Sequence, residues 1–459
     1  MKNYLSLEIK LTRILIATFF TFFSLILIYS CSTSIPISNN PTSIPSINPP
    51  ITPTTVPSAK KVVRSFGSEQ LRKELNYLIK HSYDETMALD IVYATNRKML
   101  NNPSACNNNS FGVESNNSNN NNNNNNSSLA YGICRINVPK FHRVGNFEIT
   151  DNPRDNSHQY FKVVKQNSLT ESLFQLYLNQ SQQQRPTDIL IFVHGFNVKF
   201  EEAIIRTAQI AYDLKFQGPI VLFSWPAGAA EGMFESAMIN KTYENNRNNV
   251  ISSIPQFTHL LKLLSKLGIT VHLMVHSMGH QIVIPALAQT VNNLESEEAA
   301  FITTNTITNT ITNTTTNTIT NTFPYTQNSR WNKKFIGELI LNAPDIPVND
   351  FEQYLPALKQ ITGRITVYCS YNDNAIAVSE IYNKNRRMGG CGKLEGVDSI
   401  NVGEIDAPAL GIAGLGHGLY SSRSILTDIF QLLLGIDANK RLFIRKSEPN
   451  STEDYYLRP

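Results

Sequence analysis

Cysteine pairs at metal-binding or redox spacing are missing from this chain of 459 residues. None of its five cysteines forms a C-x-x-C pair, which argues against a zinc ribbon or a thioredoxin-type site. The 40 basic and 36 acidic residues leave a net charge of only +4. No basic cluster interleaves with aromatic residues, so no nucleic-acid surface is expected. A single long apolar run excludes a membrane protein with several spans.

That apolar run lies near the N-terminus and has the features of a secretory signal. Basic residues precede an uncharged stretch over residues 14–30, which is the order of a basic n-region and an apolar h-region. Cys31 follows, and residues 28–31 (IYSC) resemble the lipobox of bacterial lipoproteins. We therefore predict a lipoprotein signal peptide over residues 1–30 and a lipid anchor on Cys31.

An uncleaved signal anchor is the alternative to lipidation. The run over residues 14–30 has a length at the lower end of the spanning range, ~17–25 residues. Either outcome places the folded part of the chain outside the cytoplasm, at the membrane of a bacterial cell envelope. Ser32, rather than Asp, follows the cysteine, so the resemblance favours the outer membrane over the inner one. Residues 31–59 are rich in Ser, Pro and Thr, which predicts an extended tether.

The rest of the chain alternates short apolar runs with helical patterns. All-apolar runs predict buried strands, and apolar residues at a spacing of three and four predict the helices that follow them. The predicted strands span residues 90–95, 160–164, Ile189–Val193, Ile220–Ser224, 270–276, 338–342 and 365–370, and the predicted helices span residues 68–80, 200–214, 249–267, 278–291 and 424–434. This alternation predicts an α/β fold with a mostly parallel sheet and helices on both faces.

Two low-complexity stretches interrupt this pattern, over residues 107–128 and 303–322. The first contains a run of Asn, and the second holds only Thr, Asn and Ile. Neither shows the period of a helix or of a strand, so we expect both in surface loops. The predicted organisation is one domain over residues 60–445 with two inserts, followed by a C-terminal tail over residues 446–459.

The candidate nucleophile lies in residues 275–280 (VHSMGH), between a predicted strand and a predicted helix. This is the position of the nucleophile elbow G-x-S-x-G, a tight turn that aims a serine Oγ out of the sheet. Gly279 fits the second glycine of the motif, and Val275 stands in place of the first. The pattern makes Ser277 the candidate nucleophile.

An elbow serine requires an acid and then a histidine later in the chain. His417 is the single histidine after His280 and lies among glycines, so it is the candidate base. Asp373 closely follows the predicted strand over residues 365–370 and is the candidate acid. Asp345 follows the preceding strand and is its competitor.

The oxyanion hole of such an enzyme uses the amide after the nucleophile and a second amide from an earlier loop. Met278 supplies the first, and we assign the second to Phe196 in residues 194–197 (HGFN). His276 and His280 are spaced like a zinc pair, but the Glu of H-E-x-x-H is missing. No metal and no other cofactor is expected.

Six short motifs occur in one order along the chain. They are YATNR at 93–97, FVHGFN at 192–197, FSWPA at 223–227, VHSMGH at 275–280, LNAPD at 341–345 and RMG at 387–389. Together they resemble a bacterial α/β-hydrolase family of unknown function, esterase/lipase-like and with some lipoprotein-type members, over about residues 88–435. The resemblance implies an α/β-hydrolase fold and supports Ser277, Asp373 and His417 as a triad. It implies no particular substrate.

These features predict a membrane-tethered serine hydrolase that cleaves a carboxylic ester of a small molecule or a lipid through an acyl-enzyme. Two alternatives stay open. One is a non-catalytic surface protein on the same scaffold, although such a protein has no physical need of three triad members in order. The other is amide or peptide cleavage by the same triad, which the sequence does not separate from ester cleavage.

Overall fold

The computed structural model describes residues 87–100, 106–116, 129–150, 152, 158–184, 188–229, 239–312, 334–405 and 417–459. The predicted signal peptide, the tether with Cys31 and the predicted helix over residues 68–80 lie outside these residues. Within the described ranges, no helix combines the length and the apolarity that crossing a bilayer requires.

A large mixed sheet forms the centre of the described chain. Its strands and those of a separate hairpin are β1 (Met87–Thr95), β2 (Arg97–Met99), β3 (Phe111–Ser115), β4 (Ala130–Val138), β5 (Lys162–Leu169), β6 (Ile189–Val193), β7 (Ile220–Ser224), β8 (Val271–His276), β9 (Ile336–Asn342), β10 (Thr362–Cys369), β11 (Asp398–Asn401), β12 (Ile444–Lys446) and β13 (Tyr455–Leu457). The sheet order is β12-β13-β11-β10-β9-β8-β6-β7-β1-β4-β5, and β2 pairs with β3. All neighbours from β13 to β1 run parallel, and the antiparallel pairs lie at the two edges.

Helices cover both faces of this sheet. They are α1 (Glu171–Gln184), α2 (Phe200–Asp213), α3 (Ile239–Ser265), α4 (His280–Thr312), α5 (Val348–Ile361), α6 (Asn374–Asn383) and α7 (Arg423–Leu433). Alternate side chains of β6 point to opposite faces: Ile191 packs with α3 and α4 in one core layer, and Phe192 packs with α2 and α7 in the other. The predicted fold class, an α/β-hydrolase fold with a mostly parallel sheet, is confirmed.

Part of each low-complexity insert forms regular secondary structure, which the sequence pattern does not predict. Residues 107–128 include β3, whose Phe111 is buried and packs against Tyr93 and Phe200. Residues 303–322 were expected to form a loop, but α4 continues to Thr312. A helix that is already nucleated extends at little cost per residue, even through residues of modest propensity.

Residues 446–459 are also not simply a tail. β13 lies between β11 and β12 and pairs with both, and its Leu457 is fully buried. The short strand has too few residues to show the period of a strand in the sequence, so the sequence pattern predicts only a tail here.

Two disulfide bonds each join a strand of the sheet to a segment outside the strands, and the sequence pattern predicted neither. Cys106 pairs with Cys134 in β4, and Cys369 at the end of β10 pairs with Cys391. Four of the five cysteines are therefore paired, and Cys31 has no cysteine left within the chain to pair with.

Candidate active site

Ser277 lies at the carboxyl end of β8, where the chain turns through a short 3₁₀ turn into α4. Its φ is +51°, in the left-handed region that residues with a side chain rarely adopt. Gly279 completes the turn, because a Cβ at this position would lie 2.7 Å from the carbonyl oxygen of His194. This is the strained strand-to-helix turn of a nucleophile elbow.

Val275 accounts for the one departure from the elbow motif. It is fully buried and pairs with Val193 on one side and Leu341 on the other. The position belongs to the regular part of a central strand, where a β-branched side chain packs well. The tight part of the turn begins only at Ser277, so the first glycine of the motif is not needed here.

Two donors hold the backbone of Ser277. His280 Nδ1–H donates to the Ser277 carbonyl oxygen at 2.6 Å, and the Asp345 amide donates to the same oxygen at 3.3 Å. Burial lowers the pKa of His280 to about 3, so its imidazole is neutral. His280 thus supports the turn through its Nδ1.

A buried acid–base pair is formed by His417 and Asp373. His417 Nδ1 lies 2.9 and 2.8 Å from the two carboxylate oxygens of Asp373, and both side chains are almost fully buried. Asp373 is also the N-cap of α6, where its Oδ1 accepts from the amides of Ala375 and Ile376 at 3.0 Å. These amides hold the carboxylate in place and satisfy it. His417 Nε2 is buried and has no hydrogen-bond partner among the described residues.

His276 brings the His417 segment to the side of the nucleophile. Its Nε2–H donates to the His417 carbonyl oxygen at 3.1 Å, and the two rings lie 4.8 Å apart. Burial, together with the nearby His417, lowers the pKa of His276 well below its usual range, so His276 is a neutral donor. No hydrogen bond links Ser277 Oγ to His417 Nε2 within the described part of the chain. Such bonds are often long before substrate binds.

Asp345, the competing acid, is occupied elsewhere. Its Oδ1 lies 3.3 Å from Nε of the buried Arg387 and accepts from Ser379 Oγ at 2.6 Å. The contact with Arg387 is an ion pair without hydrogen-bond geometry. The His417 imidazole therefore contacts Asp373 and not Asp345. Asp345 instead supports the Ser277 turn through its backbone amide.

The loop after β6 passes directly against the nucleophile. A Cβ at Gly195 would lie 2.8 Å from both His276 Nδ1 and Ser277 Cβ, so only glycine fits this approach. Phe196 comes next, and within the described residues its amide donates no hydrogen bond. Met278 lies in the 3₁₀ turn before α4, where the first amides of a helix lack partners. Gly195, which precedes Phe196, thus lies against Ser277, and Met278 directly follows Ser277.

His194 and Trp225 fix the start of this loop. Their rings are nearly parallel, with centroids 5.4 Å apart, and Trp225 Nε1–H donates to the His194 carbonyl oxygen at 2.8 Å. His194 Nδ1–H donates to the Gly195 carbonyl oxygen at 3.0 Å. Burial, followed by the nearby Arg97, lowers the pKa of His194 well below its usual range. Sequence reasoning assigned no role to Arg97, and the only signal was its place in the YATNR motif.

Two surface cavities lie apart from this site. One of 990 Å³ is lined by the starts of β9 and β10 and by the segment before β11, which is the edge of the sheet opposite Ser277. Another of 780 Å³ lies between the start of α2 and β5. Neither is lined by Ser277, Asp373 or His417. The site is therefore located by its chemistry and by its place at the carboxyl ends of parallel strands.

Comparison with known proteins identifies a family. A family model described as alpha/beta hydrolase of unknown function (DUF900) matches residues 170–433. Neither the curated proteins nor the solved structures contained a match. The matched region runs from the residue before α1 to the end of α7 and contains Ser277, Asp373 and His417. Because the match covers more than half of the chain and the observed sheet agrees with it, the chain belongs to this family of α/β-hydrolases of unknown function.

Proposed function

We propose that this protein is a serine hydrolase that cleaves carboxylic esters with Ser277, His417 and Asp373 as its triad. The observation that carries the proposal is the state of His417. Its Nδ1 is paired with a buried, capped carboxylate, and its Nε2 has no partner among the described residues. An imidazole held in this tautomer accepts a proton at Nε2, and Ser277 lies on the strained turn beside it.

The geometry supports a two-step reaction. Ser277 Oγ attacks the acyl carbonyl carbon while His417 Nε2 takes its proton, and Asp373 stabilises the imidazolium that forms. The amides of Met278 and Phe196 donate to the oxyanion of the tetrahedral intermediate. The imidazolium then protonates the leaving alcohol. Water attacks the acyl-enzyme with His417 as base, which releases the acid and restores the serine.

A fluorophosphonate probe and a short-chain aryl ester test this proposal. We expect the wild type to be labelled and to hydrolyse the ester, and Ser277→Ala to do neither. Ser399→Ala is the matched control, because Ser399 is also fully buried at the sheet but lies in β11. A matching anilide separates ester from amide cleavage, and the ester should react faster. The proposal would be overturned if the wild type hydrolyses no ester and is not labelled by the fluorophosphonate probe.

We also propose that the protein is anchored in the bacterial cell envelope through an acylated Cys31. The two disulfides support a location outside the cytoplasm, because such bonds persist in oxidising compartments. They use the other four cysteines, so the Cys31 thiol has no competing partner within the chain. The residue after it, Ser32, favours the outer membrane, where lipids or other esters of the envelope would be the substrates.

Metabolic labelling with a palmitate analogue tests the anchor. Labelling should be lost in Cys31→Ser and kept in a Cys106→Ser/Cys134→Ser variant, which removes a disulfide but leaves the lipidation signal. Mass spectrometry of the purified protein should find that residues 1–30 have been removed. Labelling that persists in Cys31→Ser, or a mature chain that keeps those residues, would favour an uncleaved anchor.

A further inference from the structure

The Arg97 guanidinium is buried at the carboxyl edge of the sheet and is satisfied by three backbone carbonyl oxygens and two neutral side chains. Arg97 is only 1% exposed. Its donors reach Ser224 Oγ at 2.8 Å, the carbonyl oxygens of Ala227 at 2.7 Å, Val198 at 2.8 Å and Gly112 at 3.2 Å, and His194 Nε2 at 3.3 Å.

This arrangement is unusual for a buried charge, which ordinarily pairs with a carboxylate. Among the described residues no carboxylate oxygen accepts a hydrogen bond from Arg97. Burial lowers the pKa of Arg97 to about 9, although the nearby Glu202 carboxylate partly offsets this by raising the pKa. The guanidinium is therefore still a cation at neutral pH. His194, whose own pKa is lowered, is the neutral acceptor that this cation requires.

The contacts of Arg97 bracket the oxyanion loop. One nitrogen, Nη2, reaches both the His194 side chain and the Val198 carbonyl, which are the two ends of segment 194–198. The other nitrogens contact the end of β7, the segment after it and the start of β3. Inside the bracket, Asn197 has a φ of +56°, a conformation that persists only when its surroundings enforce it.

We propose that Arg97 is a positioning residue of the oxyanion hole, which acts through His194 and Val198 to hold the Phe196 amide toward the oxyanion. The inference rests on the proposed esterase function. Lysine cannot replace this group, because a single ammonium cannot span fixed acceptors on several chain segments as the planar guanidinium does. A misplaced oxyanion donor weakens binding of the transition state and leaves binding of the substrate unchanged.

The test compares Arg97→Lys with Arg441→Lys. Arg441 is the matched control, since it is also fully buried but pairs with Asp428 away from the site. For Arg97→Lys we expect kcat on an aryl ester and the rate of fluorophosphonate labelling to fall by ~10- to 100-fold, with KM within ~2-fold. Affinity for a boronic acid inhibitor should fall by the same factor as kcat. Arg441→Lys should lower the melting temperature and keep kcat.

Three results would overturn the inference about Arg97. If Arg97→Lys lowers only the melting temperature, or affects kcat no more than Arg441→Lys, then Arg97 is merely structural and the inference is wrong. If Arg97→Lys does not fold, His194→Gln is measured in its place, and an unchanged kcat would overturn the inference. If the wild type does not react with the fluorophosphonate, the proposed function itself fails and the inference fails with it.

Discussion

The same side chain has different tasks at four buried positions around Ser277, and its hydrogen-bond partner decides which. His194, His276 and His280 each contact a backbone carbonyl oxygen, and burial lowers the pKa of all three. They are neutral donors that fix the backbone. Among these four, only His417 contacts a carboxylate, that of Asp373. At the scale of the residue, the partner thus distinguishes the proposed base from three histidines that bond to the backbone.

Asp373 and Asp345 should separate catalysis from stability. Asp373→Asn removes the carboxylate that orients His417, and we expect kcat to fall ~10⁴-fold, as a wrong tautomer does in a serine protease. Asp345→Asn leaves Arg387 as a buried charge without its partner, which typically costs ~3–5 kcal/mol, so it should mainly lower stability. Ester hydrolysis and urea unfolding of both variants provide the comparison. An inactive Asp345→Asn beside an active Asp373→Asn would exchange the two roles.

Most elements that carry the site were predictable because their burial is complete. The strands Ile189–Val193 and Ile220–Ser224 are buried at every position, and the sequence predicted both without error. Their uninterrupted apolar runs have only one stable location, the centre of a covered sheet. The order Ser277, Asp373, His417 was predictable for the same reason, because it depends only on the order of the strands along the chain.

Elements at the margins were not predictable from their patterns. β4 carries polar residues among apolar ones and lies near an edge of the sheet, and α1 ends in a run of Gln. α5 contains Pro356, which a local pattern reads as a break. The role of Arg97 was invisible for a different reason. Its partners are mostly backbone carbonyls from distant segments, and no side-chain pattern records where those carbonyls meet.

At the scale of the element, the Cys369–Cys391 disulfide fixes the end of β10, the strand that precedes the proposed acid Asp373. β10 ends at Cys369, and Asp373 follows within the same turn. The double variant Cys369→Ser/Cys391→Ser should lose ~2–4 kcal/mol of stability and also lose kcat, because the loop that holds Asp373 is released. Thermal unfolding and ester hydrolysis would be measured together.

The other disulfide is the matched control for this prediction. Cys106–Cys134 encloses a chain segment of similar length but lies away from Asp373. Its double serine variant should lose comparable stability with little change in kcat. Equal loss of kcat in both variants would show that the effect is general destabilisation and not release of the acid.

At the scale of the whole molecule, one buried histidine links the segment after β4 to α2. His142 lies 2.7 Å from both Glu148 and Asp213. Burial alone would lower the pKa of His142, but the two carboxylates outweigh it and raise the pKa to about 9. Both ring nitrogens of the cation donate. The charged His142 therefore strengthens the link between segment 142–148 and the end of α2, where the Gly145 amide also donates to Asp213 at 2.9 Å.

Stability should therefore fall as the solution becomes alkaline. The folded-state pKa of about 9 exceeds the ordinary value of ~6.5. The stabilisation is thus full below about pH 6.5 and is lost as the pH rises through about 9, with at most about 3 kcal/mol at stake. Melting temperatures from pH 6 to pH 10 should decline, and His142→Gln should flatten the decline. His259→Gln, which alters a half-exposed pair, should leave it unchanged.

The position of β13 between β11 and β12 also limits when this molecule can fold. Strand β13 lies inside this part of the sheet, between β11 and β12. These three strands therefore cannot pair until nearly all of the chain before residue 455 has been synthesised. Parallel pairings between distant segments already form slowly. The strands β11 and β12 therefore stay without this partner for most of synthesis. When synthesis is arrested before residue 455, β11 and β12 should therefore be accessible to protease.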